Sequence, residues 1–354
     1  MPTYYYGWEG IVDWGYESPT AYGTAVTPTE RLSWVRSITL TVDENVERHW
    51  FLGSNHFRKA DVAIKGIHEV TGTITFWLAD DLDATMMDAW ILKMPCDAYN
   101  VAYTTDSWDI PNTAVSVYGS NDLPSFTLET GFNKSGNIRR HIIDGCVVDT
   151  FTMRARRGER VECTLDFIGR SASLDNPTAF QSLSRSTAPP LGWEHVRIGY
   201  ATDGTETART DFTAFEFTIS NNLTANYDLS STSPSRALTN IIPGRQEISG
   251  SATINLTTES GMALYDALLN DASAPYTPAE DVKKKQFNFD IRNTANPDTQ
   301  AIEWTFRNVV IGEVPVDIDP TKVQEVTFPW TAEYYLLELI TPDTTAPTNW
   351  DDQS

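Results

Sequence analysis

The sequence predicts a mainly β protein: two tandem β-sandwich or barrel domains, each with one flanking α-helix. Three observations carry this expectation. Polar and apolar residues alternate with a period of two in several runs, the same order of runs occurs twice, and each copy holds one short run of helical period.

The alternation comes first. Ile38, Leu40 and Val42 alternate with Thr39, Thr41 and Asp43. Val70, Gly72, Ile74, Phe76 and Leu78 alternate with Glu69, Thr71, Thr73, Thr75 and Trp77. Val161, Cys163, Leu165 and Phe167 alternate with Glu162, Thr164 and Asp166. Later in the chain, Ile248, Ala252, Ile254 and Leu256 oppose Glu247, Ser249, Ser251 and Thr253. Such runs fit antiparallel sheets with one wet face.

The duplication comes next. Residues 66–92 align without a gap with residues 244–270, matching Gly66, Glu69, Gly72, Thr75, Leu78, Asp88 and Ala89 to Gly244, Glu247, Gly250, Thr253, Leu256, Asp266 and Ala267. Upstream, residues 38–50 resemble 215–227; downstream, 125–129 resemble 286–290 and 161–167 resemble 323–330. Blocks recurring in one order at similar spacing mark an internal duplication. The helices are expected over 83–92 and 260–269, each after a polar or acidic start suited to a helix N-terminus.

The domain plan follows. Residues 1–31, aromatic but without period, read as an extended arm; 32–170 form the first domain and 191–340 the second. Residues 171–190, rich in Ser, Thr, Ala and Pro, read as a linker, and 341–354 as a flexible tail. Residues 45–65 and 222–243 read as long hairpin loops.

Composition narrows the function. Lys and Arg number 26 against 48 Asp and Glu, a net charge of −22, which argues against specific DNA binding because phosphate neutralisation needs cations. An acidic wall instead lets a phosphate backbone slide past without sticking. No run of about 18 apolar residues exists to span a membrane. The first residues lack a basic segment followed by an apolar run, so the chain is expected to stay in the cytoplasm where it is made. Cys96, Cys146 and Cys163 are odd in number and follow no spacing motif; Cys146 and Cys163 read as small buried hydrophobes.

No catalytic constellation emerges, and no cofactor or metal is expected. His49, His56, His68, His141 and His195 form no close ligand pair, and His68 aligns with Gln246 in the other copy. No nucleophile elbow, phosphate loop or paired-cysteine motif occurs. Asp80, Asp81 and Asp83 lack the spacing of a calcium loop and read as an acidic helix start. The aromatic residues of the arm, Tyr5, Trp8 and Trp14, read as contacts to a neighbouring subunit. Arg154, Arg156 and Arg157 read as a hairpin tip that pairs with acidic neighbours or is solvated.

Residues 20–47 (TAYGTAVTPTERLSWVRSITLTVDENVE) resemble the opening of tail tube proteins of long-tailed, non-contractile phages and archaeal viruses. EVTGTITFWL, then a helix, then PSFTLETGF, then GCVVDTFTMRARRGERVECTLDFIGR is similar to the body of those subunits, and the second copy ends alike in KVQEVTFPWTAEYY. The resemblance implies two tail-tube-type domains whose strands close into a continuous β-barrel on oligomerisation. With two domains per chain, it implies rings of three copies with pseudo-sixfold symmetry. It also implies stacking of these rings into a hollow virion tail tube assembled in the host cytoplasm. Double-stranded DNA would pass through without sequence-specific recognition, and other tail proteins would sit at the tube ends. The long loops, the arm and the tail would contact the next ring. The polar strand faces then become the channel wall: Thr39, Thr41, Asp43, Glu69, Thr71, Thr73, Thr75, Thr164 and Asp166 from the first copy, with Thr218, Ser220, Glu247, Ser249, Ser251, Thr253, Glu325 and Thr327 from the second.

Other readings compete. A tail terminator or baseplate-proximal ring protein would share the fold without open-ended stacking. A carbohydrate-binding or adhesion module would need an exposed aromatic platform and an export route. A hydrolase would need a cleft around a carboxylate pair.

Overall fold

The described residues form twenty strands, several of which carry the alternation read from the sequence. The computed structural model describes residues 10–17, 22–49, 62–79, 91–92, 94–96, 123–134, 137–175, 182–201, 207–209, 211–227, 238–259, 261, 285–292, 301–312 and 324–340. The first ten strands are β1 (Gly10–Tyr16), β2 (Glu30–Arg31), β3 (Val35–Asp43), β4 (Val46–His49), β5 (Val62–Lys65), β6 (Glu69–Trp77), β7 (Phe126–Lys134), β8 (Asn137–Arg156), β9 (Glu162–Gly169) and β10 (Ser171–Asp175). The second ten are β11 (Val196–Ala201), β12 (Thr207–Arg209), β13 (Phe212–Ser220), β14 (Thr224–Asn226), β15 (Asn240–Ile242), β16 (Glu247–Asn255), β17 (Lys285–Arg292), β18 (Ala301–Ile311), β19 (Glu325–Ala332) and β20 (Tyr334–Ile340). The chain is mainly β, as the alternation requires.

The antiparallel pairings of the second ten strands repeat those of the first. β1 pairs with β2 and β7, as β11 pairs with β12 and β17. β6 lies between β3 and β9, as β16 lies between β13 and β19. β8 pairs with β7, β9 and β10, as β18 pairs with β17, β19 and β20.

β8 and β18 each serve two sheets and change partners at a left-handed residue. Gly145 has φ 61° and Asn308 has φ 55°. Before them β8 and β18 pair mainly with β7 and β17; after them they pair with β9 and β19. Glycine and asparagine tolerate this backbone best, and the turn swings each long strand from one layer into the other.

One pairing has no counterpart among the described residues of the chain. The second part of β8 pairs with β13, from Thr150 against Ser220 to Arg156 against Ala214. It joins the inner strands into one sheet in the order β3-β6-β9-β8-β13-β16-β19-β18. The apolar face of this sheet packs in a core that runs through both halves. Phe151 of β8 meets Phe217 at 5.8 Å and Trp304 at 6.4 Å between ring centroids. Phe215, Phe289, Phe306 and Trp330 continue the aromatic packing in the second half.

The repeated glycines have structural reasons. A Cβ on Gly72 would run into the Phe167 ring, and one on Gly250 into the Trp330 ring, each ring lying over the glycine from the neighbouring strand. Gly66 and Gly244 pass close to the carbonyls of Asn45 and Asn222, which are left-handed at φ 42° and 48°. The same asparagines donate from Nδ2 to the Ile67 and Arg245 carbonyls, at 3.1 and 2.8 Å. This pair of devices closes the base of the hairpins β4–β5 and β14–β15, which pair in identical internal register.

Two expectations need correction. The arm read over residues 1–31 is not free along β1, whose Val12, Asp13 and Trp14 are all buried; Trp14 stacks edge-on against Phe126 at 6.3 Å. Trp14 is therefore a core residue of its own chain and no subunit contact. Just after β1, buried Glu17 accepts four hydrogen bonds: from the Gly23 and Gly145 amides at 3.0 and 2.8 Å, and from the Ser125 and Thr127 hydroxyls at 2.9 and 2.8 Å. These bonds fasten the end of β1 to β7 and β8. Ser171–Asp175, read as the start of the linker, is strand β10 on β8. The helices expected over 83–92 and 260–269 lie outside the described residues apart from Ile91, Leu92 and Gly261. Tyr5, Trp8, the acidic start at Asp80, Asp81 and Asp83, and the tail 341–354 lie outside them too.

Candidate functional site

The inner sheet turns its apolar side to the core and its polar side outward. Buried and unburied residues alternate along all of β9, and along β19 as far as Thr331, since the core covers one face only. Every residue nominated for the channel wall lies on this second face, and each is half-buried or exposed.

Register sets them in rows across the strands. One row runs Ser37, Thr75, Thr164, Thr152, Thr218, Ser249 and Thr331. The next runs Thr39, Thr73, Asp166, Thr150, Ser220 and Glu247. The hydroxyls bond along these rows. Thr73 donates to Asp166 at 2.6 Å, Thr152 and Thr218 lie 3.0 Å apart across the seam between the halves, and Thr253 and Thr327 lie 2.8 Å apart. Short hydroxyls that satisfy one another leave few donors free for a ligand.

Sequence reasoning missed the contribution of β8. Thr150, Thr152 and Arg154 sit in the middle of this face, with Glu162 and Glu216 beside them. The face carries Asp43, Glu69, Glu162, Asp166, Glu216, Glu247 and Glu325 against Arg36, Arg154 and Arg156. The arginines gather toward the β8–β9 turn. Arg36 reaches Glu162 at 3.1 Å and lies 4.7 Å over the Trp77 ring, while Arg154 lies 3.8 Å from Glu159 and 4.0 Å from Glu216. The arginine tip thus pairs with acidic neighbours. Toward the opposite end, Asp43 and Glu69 stand directly across from each other.

His68 and Gln246, aligned in the repeat, make the same tie with different chemistry. His68 Nδ1 meets Glu44 at 3.2 Å, and Gln246 donates to Asn221 at 2.9 Å. No group of three His, Cys, Asp or Glu among the described residues is placed to hold a metal ion. No described helix is long and apolar enough to cross a membrane.

The described part of this face thus combines rows of hydroxyls with an acidic balance, between the end strands β3 and β18. The family model for phage tail tube proteins matches residues 76–332. The chain belongs to the phage tail tube protein family. The match takes in β8, β9, β13, β16, β18 and β19 with the seam between the halves, and it begins at the end of β6, after β3. No curated protein matches the chain. As a tail tube protein, the chain is a structural component of the virion tail. Membership also implies self-assembly into a tube together with other tail proteins.

Proposed function

We propose that this is the major tail tube subunit of a long-tailed, non-contractile virus in a tandem-domain form, with domains over 32–170 and 191–340. Three chains form a ring, the rings stack in the host cytoplasm, and the polar face lines a channel that DNA traverses during genome delivery. One observation carries this reading: the chain already makes the required joint once. β8 of the first half pairs with β13 of the second, while the equivalent strands β18 and β3 end the inner sheet. Repeating that joint from chain to chain extends the sheet with no exposed edge.

Strand number sets the bore. Each chain gives eight inner strands. Three chains give about twenty-four at about 4.8 Å spacing, a circumference of about 115 Å and a diameter of about 37 Å before strand tilt widens it. Two chains would give about sixteen strands, the narrower bore of a porin. The acidic balance of the face keeps the phosphate backbone from adhering.

Negative-stain electron microscopy of the full chain across concentration and salt tests the proposal. Hollow tubes with threefold ring averages support it. Single rings that never stack favour a terminator or baseplate-proximal role. Monomers under all conditions, with and without tail extract, overturn it.

A further inference from the structure

The seam inside the chain shows what the two open ends should do with their side chains. In that seam the β14–β15 hairpin lies on the first half. Leu238 and Ile241 pack with Leu123 and Val147, joined by Leu223, Ala225 and Ile168. Arg170 donates from Nε to the Leu238 carbonyl at 3.2 Å.

The β4–β5 hairpin has the same register. Arg48 faces Ala63 as Ala225 faces Ile241, and Glu47 faces Ile64 as Thr224 faces Ile242. Val46 therefore stands in the place of Leu223, Arg48 in that of Ala225, and Ala63 in that of Ile241. At the other end of the inner sheet, Val310 pairs with Thr331 just past Asn308, as Val147 pairs with Ile168 just past Gly145. Glu333 follows Thr331 by two residues, as Arg170 follows Ile168.

Exposure separates the closed seam from the open one. Val147 is 4 % exposed, whereas Val310 is 41 % and Val46 is 51 % exposed. Ile64 is also exposed, but so is its counterpart Ile242, so that side of the hairpin faces away in both cases.

We propose that the β4–β5 hairpin of one chain seats on the Val310–Thr331–Glu333 surface of a second copy of this chain, with Val46 on Val310 and Arg48 facing Glu333. The inference rests on the ring reading above and names the contact that completes it. Charge complementarity selects the occupant. Where the closed seam has Ala225 and Arg170, the open one has Arg48 on the hairpin and Glu333 on the receiving surface. Opposite charges on surfaces that meet only on assembly keep the free chain soluble and fix the register of the joint. Asn308 donates to Glu333 at 2.6 Å, which steadies the carboxylate beside Val310.

The full chain carrying Arg48→Glu, Glu333→Arg or both is compared with the unaltered chain by sedimentation and electron microscopy. Each single reversal is expected to raise the concentration needed for assembly about tenfold, and the double reversal to restore most of the loss. In a second variant, Val46→Cys with Val310→Cys, oxidation of the assembled protein should give interchain disulfide ladders ending at a closed trimer. Tubes from single reversals at the normal concentration, or assembled cysteine variants without an interchain crosslink, overturn this contact and leave the tube reading standing. An unaltered chain that never assembles, with or without tail extract, overturns both. Should Glu333→Arg fail to fold, seen as a lost melting transition, the cysteine pair decides.

Discussion

At the seam within the chain, Asn221 donates from Nδ2 to the Val148 and Pro95 carbonyls at 2.9 and 3.1 Å, and Asp149 accepts the Leu223 amide at 2.8 Å. At the open edges, Glu44 stands where Asn221 does, and Gly312 where Asp149 does. Glu44, a carboxylate, cannot donate to a carbonyl when ionised; it takes Lys65 at 3.3 Å and His68 at 3.2 Å within its own hairpin base. The seam and the open edges share a backbone plan and differ in their polar pins. Permanence inside one chain is served by the buried bonds of the neutral Asn221 amide, which exclude water and hold one arrangement. The open edge carries charged groups at the same place.

The largest test of this contrast is at the pins. Asn221→Leu should destabilise the chain by about 3 kcal/mol, because it strands two carbonyls in a dry place. Glu44→Leu at the matching open position should cost less than about 1 kcal/mol, since its partners are partly solvated. Urea unfolding of both variants measures the difference; equal losses would remove the distinction between the joints.

A second pair of substitutions asks whether the halves are equivalent where their backbones are. Gly72→Ala and Gly250→Ala should each cost about 2 kcal/mol, since each new methyl meets an overlying ring. Thermal melts that separate the two widely would show that the glycine–aromatic device matters in only one half. Leu238→Ala, which empties the closed seam, should cost about 2 kcal/mol in the isolated chain. Val46→Ala should change it by less than about 0.5 kcal/mol while weakening assembly.

Smaller effects lie on the polar face. Thr152→Val removes a hydroxyl bond across the seam and should cost about 1 kcal/mol, whereas Thr253→Val, at an exposed hydroxyl pair, should cost about half that. The smallest effect concerns reactivity. Burial pushes the Cys146 and Cys163 thiols well above their ordinary range, so neither forms thiolate at mildly alkaline pH. Both should resist alkylation in the folded chain and react once it unfolds, with mass spectrometry as the readout.

The parts of the fold that were legible in the sequence are those where burial is one-sided. β6, β9 and β16 alternate because the core covers one face, and the same alternation marked the candidate wall. β1 was misread for the opposite reason. Val12, Asp13 and Trp14 are buried in succession, so the strand has no period, and Asp13 is tolerated by its bidentate pairing with Arg31 at 2.6 and 2.9 Å. β8 was overlooked because an irregularity between Val148 and Thr150 shifts its phase after an apolar stretch, which hides the polar row of Thr150, Thr152 and Arg154.

By itself the sequence determined the mainly β class, the duplicated order of blocks, the glycines that recur with it and the polarity of one sheet face. Each of these is a local pattern, written in which side chains meet core or water. Only the tertiary structure decided that β8 pairs with β13, that Trp14 belongs to the core, and that the two ends of the inner sheet match the joint at its centre. Strand partners far apart in the chain are chosen by backbone hydrogen bonds and by packing across the sheet. The backbone groups are the same in every residue, so the choice of partner leaves no mark on a single run of sequence.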